Sequence, residues 1–206
     1  MKSPDVTIII PYNKDRGYLH EAVKSAESQA HVIPFQGDAL IGTNINAAMK
    51  GVTTRYVAIM AEDDLLPPGS VFFRQKALEE TGADFIHGRG TIFFSDGREM
   101  PYRMRKKTPN LNDMVDENQI CGGTPMYLTD VFQKSGGFDE ALWTAEEYEF
   151  HMKLLSMECK IDWCDRVVYN IRVHDGQKSI GVKDRAYQNR RIAEIKRIKD
   201  RYRGSC

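Results

Sequence analysis

Blocks of apolar residues along the chain switch between the two-residue period of strands and the 3.6-residue period of helices. Val6-Thr-Ile-Ile-Ile-Pro11 is a β-branched run that ends in Pro-Tyr-Asn13, which reads as a central strand followed by a loop. Tyr18 to Gln29, with Leu19, Ala22, Val23 and Ala26 on one face, has helical spacing. A short strand over His31–Phe35 follows, with Gln36-Gly-Asp38 as its terminal loop, and then a short helix from Asn44 to Gly51. Tyr56 to Ala61 is the next strand, and Ser70 to Thr81 a helix stopped by Gly82. Asp84–Gly88 and Thr91–Phe94 read as two strands, with Ser95-Asp-Gly97 as a hairpin turn. The pattern is lost from Arg98 to Asn118, which reads as a long surface loop carrying Arg103-Met-Arg-Lys-Lys107. It returns as a strand over Gly122–Leu128, helices over Thr129–Lys134 and Glu146–Met157, and a final strand over Val167–Val173.

Alternating strands and helices predict an α/β fold with a mostly parallel central sheet. The length of 206 residues suits one domain with a small appendage, placed here as residues 1–180 and 181–206. With 41% hydrophobic and 28% charged residues, the chain can bury an ordinary core. Its longest apolar run, Val6–Pro11, is far too short to span a bilayer, and the first residues lack a signal-peptide core. The four cysteines show no metal-ligand spacing, so reduced thiols and a cytoplasmic setting are expected.

Balanced charge, 29 basic against 29 acidic residues, argues against a surface built throughout for nucleic acid. The exception is local. Nine Lys and Arg against three acids lie between Lys183 and Arg203, with Ala186, Ile192, Ile195, Ile198 and Tyr202 at roughly helical spacing. This reads as a basic amphipathic helix, either docked by its apolar stripe or meeting an anionic surface such as a membrane.

The chemistry concentrates in Glu62-Asp63-Asp64, delivered by an apolar strand and followed by Pro67-Pro-Gly69. Taken alone, the triplet suits either a solvated turn or a cation site. Three acids at a strand end repel one another unless water or a cation intervenes, and the carboxyl ends of strands are where open α/β sheets bind ligands.

Four elements, in order, resemble family 2 glycosyltransferases: Val6-Thr-Ile-Ile-Ile-Pro-Tyr-Asn13; Glu62-Asp-Asp64 with Pro68-Gly-Ser70; Gly136-Gly-Phe-Asp-Glu140 with Glu146-Glu-Tyr-Glu-Phe150; and Tyr169-Asn-Ile-Arg-Val-His174 with Ser179. The resemblance implies a GT-A fold, a Rossmann-like α/β/α sandwich binding a nucleotide-sugar donor. It also implies an inverting transfer to an acceptor hydroxyl, assisted by Mn²⁺ or Mg²⁺. On that resemblance, Asp64, with Glu62 and His174, holds the metal. Pro11, Tyr12, Asn13, Asp38, Glu62 and Asp63 bind the donor, and Arg172 and Lys178 are candidates for its phosphates. Glu147 stands at the family's base position, where Asp is usual, with Glu146 as competitor. Trp143 is a candidate wall against a sugar, and Asn44 and Asn46 are scaffold.

The family's acid-rich end of the second strand is missing, which leaves Asp38 as its replacement and the nucleotide open, with a UDP-linked donor expected first. The acceptor is equally open among a glycan, a lipid-linked group, a protein and DNA with hydroxylated bases. Two other classes stand beside this reading. One is a nucleotidyltransferase, which Pro11–Gly17 disfavours because it is not Gly-rich; the other is a nucleotide-sugar or partner-binding module without catalysis.

Overall fold

The structure, a computed structural model, describes residues 2–104, 106–175, 177 and 185–204. Its first half is β1 (Val6–Tyr12), α1 (Leu19–Glu27), β2 (His31–Gln36), α2 (Ile41–Met49), β3 (Tyr56–Ile59) and α3 (Ser70–Thr81). The second half is β4 (Phe85–Phe94), β5 (Glu99–Pro101), α4 (Leu111–Asp116), β6 (Met126–Leu128), α5 (Thr129–Lys134), α6 (Glu146–Ser156), β7 (Ile161–Val173) and α7 (Arg185–Tyr202).

One sheet runs in the order β2-β1-β3-β6-β4-β5, with β7 on the other side of β4. The pairs β1–β2, β1–β3 and β4–β7 are parallel, whereas β6 is antiparallel to both β3 and β4, and β5 to β4. Five strands therefore point one way and the sheet is mixed. β6 is inserted between β3 and β4 and runs against both. As a result the carboxyl ends of β1, β2, β3 and β7 share one edge with the amino end of β6.

Alternation along the strands sorts the core into two faces. Ile9, Val57 and Ile59 face the helices α2, α4, α5 and α6, and the cluster closes with Ile198 and Tyr202 of α7. Ile8, Ile10, Ala58 and Met60 face α1 and α3 with Ala22, Ala26, Val71 and Leu78. Helices on both faces give the α/β/α sandwich.

Several expectations change. The two strands over Asp84–Phe94 are one, β4, whose register against β7 shifts around Arg89. β7 begins at Ile161, six residues before the predicted start, because its first half pairs with β4 despite a polar, non-alternating sequence. The supposed loop 98–118 contains β5 and α4. α4 is started by a capping box in which the Asn110 side chain accepts from the Asp113 N–H and Asp113 from that of Asn110. Only Met126–Leu128 of the strand predicted over 122–128 is extended in the sheet. On α7 the buried stripe is Glu194, Ile198 and Tyr202, with Ile195 packed beside it, while Ala186 and Ile192 are exposed. Lys178, Ser179, Lys183 and the proposed boundary at 180 lie outside the described residues, as do Arg105 and Cys206. Among the described residues no helix is long and apolar enough to cross a membrane.

Candidate functional site

The shared sheet edge gathers the chain's acids. Asp64 follows β3, and its next residue bridges to β7 by two backbone bonds, Leu65 N–H to Asn170 O at 3.0 Å and the reverse at 2.9 Å. That bridge aims the Asp64 carboxylate into β7. There Oδ1 accepts the Arg172 N–H at 2.8 Å, and the carboxylate also accepts the Tyr169 hydroxyl proton. The Tyr169 oxygen in turn accepts the Ala61 N–H at 3.0 Å. Burial, and then the adjacent Asp63, push Asp64 up to about 7.

Asp63 turns the other way. Its Oδ2 lies 2.9 Å from His174 Nε2, while His174 Nδ1 lies 2.9 Å from the Asp175 carbonyl. The His174 ring packs against Tyr18 with centroids 4.7 Å apart. Glu62 pairs with Arg16 of the loop after β1, tying the Pro-Tyr-Asn loop to the acidic one. Three expected metal ligands thus serve different partners. Asp64 is held by β7, Glu62 by Arg16, and Asp63 rather than Asp64 meets His174. Among the described residues no group of three or more His, Cys, Asp and Glu converges to hold an ion. Asp63 and His174, 2.9 Å apart, are the pair that a divalent ion could share, taking its remaining ligands from phosphate oxygens.

The expected donor residues border this edge. Pro11 is buried, Tyr12 half-buried and Asn13 exposed at the end of β1. The parallel pairing of β2 sets its end beside them, with Gly37 N–H donating to Tyr12 O at 3.0 Å and Gln36 Nε2 to Asn13 O at 3.3 Å. Asp38 follows, exposed. Asn44 holds this loop from α2 by donating to the Gly37 and Ala39 carbonyls at 2.9 and 3.3 Å. Arg172 is committed to the protein itself: Nε donates to Asp63 O at 2.8 Å and Nη2 to Glu21 at 2.5 Å, with the guanidinium near the Tyr18 and Phe93 rings. A phosphate role for it would have to displace these partners.

Glu147 stands across the site in the first turn of α6. The residue before the helix, Ala145, has φ +59°, a left-handed conformation that a non-glycine residue rarely adopts. Glu147 Oε1 accepts the Gly123 N–H at 3.3 Å, and a Cβ on Gly122 would come within 2.4 Å of Oε2. Gly123 itself has φ +77°, and a Cβ there would lie 2.1 Å from Tyr169 Cζ. The two glycines therefore let Glu147 and Tyr169 close on one turn of backbone, linking the base candidate to the Asp64 side. Glu147 is half-buried by accessible surface yet densely enclosed. Burial, and then neighbouring Glu146, raise it to about 7 despite the helix N-terminus and the Gly123 donor.

The turn that faces Glu147 is held from behind by Arg74, fully buried on α3, which donates to the Thr124 and Pro125 carbonyls at 3.3 and 3.2 Å and to Ser70 Oγ at 3.0 Å. From α2, Asn46 accepts the Phe138 N–H at 2.9 Å and donates to Phe138 O at 3.0 Å, fixing the Gly-Gly-Phe-Asp-Glu turn that leads to α6. Glu149 faces away from the site. It is buried and accepts from Tyr202 at 2.6 Å and Arg201 at 3.0 Å, anchoring α7. Trp143 packs edge-on against Tyr187 of α7, its ring 4.2 Å from the Arg190 guanidinium.

Sequence reading placed Tyr169 in a motif without giving it a role, and missed Gly122–Gly123, Arg74 and Arg16. The paired glycines were the one available signal, since two adjacent residues without Cβ commonly mark close backbone approach; the roles of the others depend on contacts across the fold.

Comparison with known proteins gives a consistent picture. The chain is 23% identical over 211 residues to an uncharacterised glycosyltransferase of Rickettsia typhi, covering 85% of this chain and 66% of the relative. It superposes on the structure of S. aureus TarS 1–349 in complex with UDP-GlcNAc with a TM-score of 0.65 at 18% identity, covering 97% of this chain and 70% of that one. For another structure of TarS 1–349 the TM-score is 0.62 at 18% identity, over 84% and 60%. The chain thus spans just under two thirds of the curated relative's length. At these identities the superpositions establish the GT-A fold. The sequence profile of glycosyl transferase family 2 matches residues 3–136, more than half of the chain, and includes the β1 loop and the acidic β3 end described above; the chain belongs to that family.

Proposed function

We propose that this protein transfers a sugar from a UDP-linked donor to an acceptor hydroxyl with inversion at the anomeric carbon. The observation that carries the reading is the pair of carboxyl groups, Asp64 and Glu147, each raised to about 7 and joined through Tyr169 and the Gly122–Gly123 turn at one sheet edge. Family membership and a GT-A neighbour bound to UDP-GlcNAc support the donor class. Glu147 is the base. A carboxylate with a pKa near the working pH is about half ionised and basic enough to take a hydroxyl proton. Burial, and then the like charge of Glu146, keep that pKa high. The loops carrying Pro11–Asn13, Asp38 and Glu62 bind the nucleotide, with Arg16 bracing Glu62.

Asp63 and His174 are the residues that would hold a Mn²⁺ or Mg²⁺ ion, with Asp64 behind them fixing the loop. When bound, such an ion neutralises charge on the departing diphosphate.

Thermal unfolding with UDP-GlcNAc and other nucleotide-sugars, with and without Mn²⁺, tests this reading. A ligand that binds only the folded state stabilises it by about 2.7 kcal/mol at a hundred times its Kd. The expected result is a shift with a uridine nucleotide that grows with Mn²⁺ and loses its metal dependence in Asp63→Asn and His174→Ala. No shift with any nucleotide plus metal would overturn the donor site.

A further inference from the structure

The amino-terminal half of α7 packs against the segment that leads into α6. Tyr187 and Arg190 flank Trp143, three residues before α6 begins. One residue on, the Arg191 Nε is buried with no hydrogen-bond partner, and so is the Trp143 Nε1. Buried donors left unpaired are rare, because each forfeits its hydration without return, and a ligand or ordered water is the common remedy.

Arg191 also lies within electrostatic reach of Tyr102. Tyr102 donates its backbone N–H to Gly90 O at 2.9 Å, and a Cβ on Gly90 would lie 3.4 Å from Tyr102 Cβ and 3.0 Å from Cys121 Sγ. Cys121 leads directly into the Gly122–Gly123 turn against Glu147. Burial raises the Tyr102 hydroxyl, Cys121 and Glu147 add to the rise, and the Arg191 charge opposes it, so cation and carboxylate approach the same ring. Arg191 thus brings positive charge to the side of the site where the Glu147 carboxylate would repel an anion. A planar guanidinium suits a carboxylate or phosphate, which it can bind through two parallel N–H bonds.

We propose that Arg191 is a specificity-determining residue for the acceptor, binding an oxyanion, phosphate or carboxylate, on the sugar that presents its hydroxyl to Glu147, with Tyr102 and Trp143 as the walls of that subsite. The proposal rests on the glycosyltransferase reading for its assignment of Glu147, but the charge preference is measurable apart from donor binding.

The test is calorimetric titration of the UDP- and Mn²⁺-loaded protein with glucose, glucose 6-phosphate and glucuronate. At least one anionic probe is expected to bind tenfold or more tightly than glucose, and comparing the two anions separates phosphate from carboxylate. In Arg191→Ala the anions are expected to bind no more tightly than glucose, while Arg191→Lys, which keeps the charge and loses the planar fork, retains part of the preference. Circular dichroism melts of both variants identify any loss due to unfolding, and the lysine variant serves if the alanine variant does not fold. Equal binding of all three probes to the wild type, or an anion preference that survives Arg191 substitution, overturns the proposal. An anion preference without any UDP binding upholds it and overturns the donor reading; UDP binding without an anion preference does the reverse.

Discussion

Replacing Glu147 with glutamine removes one charge from the site while keeping the side chain's size and the oxygen that accepts the Gly123 N–H. Burial and Glu146 raise this carboxyl from 4.5 to about 7 in the folded protein. The folded state therefore holds a proton that the unfolded chain has released between those two values. Stability contributed by the neutral carboxyl is fully present below pH 4.5 and lost as the pH rises through 7. At about 1.4 kcal/mol per pH unit, the rise is worth at most about 3.5 kcal/mol, the upper limit because the side chain retains some contact with water. Glu147→Gln should accordingly match the wild type in urea unfolding at pH 4.5 and exceed it by up to about 3.5 kcal/mol at pH 8.5. The same substitution should lower sugar transfer by roughly 10²- to 10⁴-fold, the usual contribution of a general base. Wild-type kcat/KM should rise with pH through about 7 as the base ionises. Glu147→Gln that is equally stable or less stable than wild type at pH 8.5 would refute the burial argument. Full transfer activity in a folded Glu147→Gln protein would refute the base assignment.

Two further substitutions probe the frame around these acids. Gly123→Ala combines an unfavourable φ of +77° with a Cβ 2.1 Å from the Tyr169 ring, so a loss of about 3 kcal/mol or more is expected in denaturant melts; wild-type stability would show that the turn can move freely. Tyr169→Phe strips the hydroxyl that joins the Ala61 N–H to Asp64, leaving a backbone donor and a carboxylate short of a partner. It should cost about 1–3 kcal/mol and weaken Mn²⁺-dependent nucleotide binding. An unchanged melt would mean that water replaces the hydroxyl without penalty.

The sequence by itself determined the α/β class, the strand and helix periods of the first half, and four motifs whose order resembles family 2 glycosyltransferases. These are local signals. The β-branched run at Val6–Ile10 and the Gly82 stop after Thr81 declare their elements within a few residues, and Ser70–Thr81 is a helix at the predicted bounds. Elements held by distant partners were not legible. The polar start of β7 is a strand because β4 lies beside it, and 122–125 forms a turn because Arg74 and Glu147 meet it from two sides. The division of labour among the acids was hidden for the same reason. Glu62, Asp63 and Asp64 are neighbours in the chain, but alternation and the Leu65–Asn170 bridge send them to Arg16, His174 and the Tyr169–Arg172 strand respectively. Spacing can announce that carboxylates share a strand end. Which one is buried, paired or left facing the site is set by partners 46 to 111 residues away, and only the closed sheet brings those within hydrogen-bond reach.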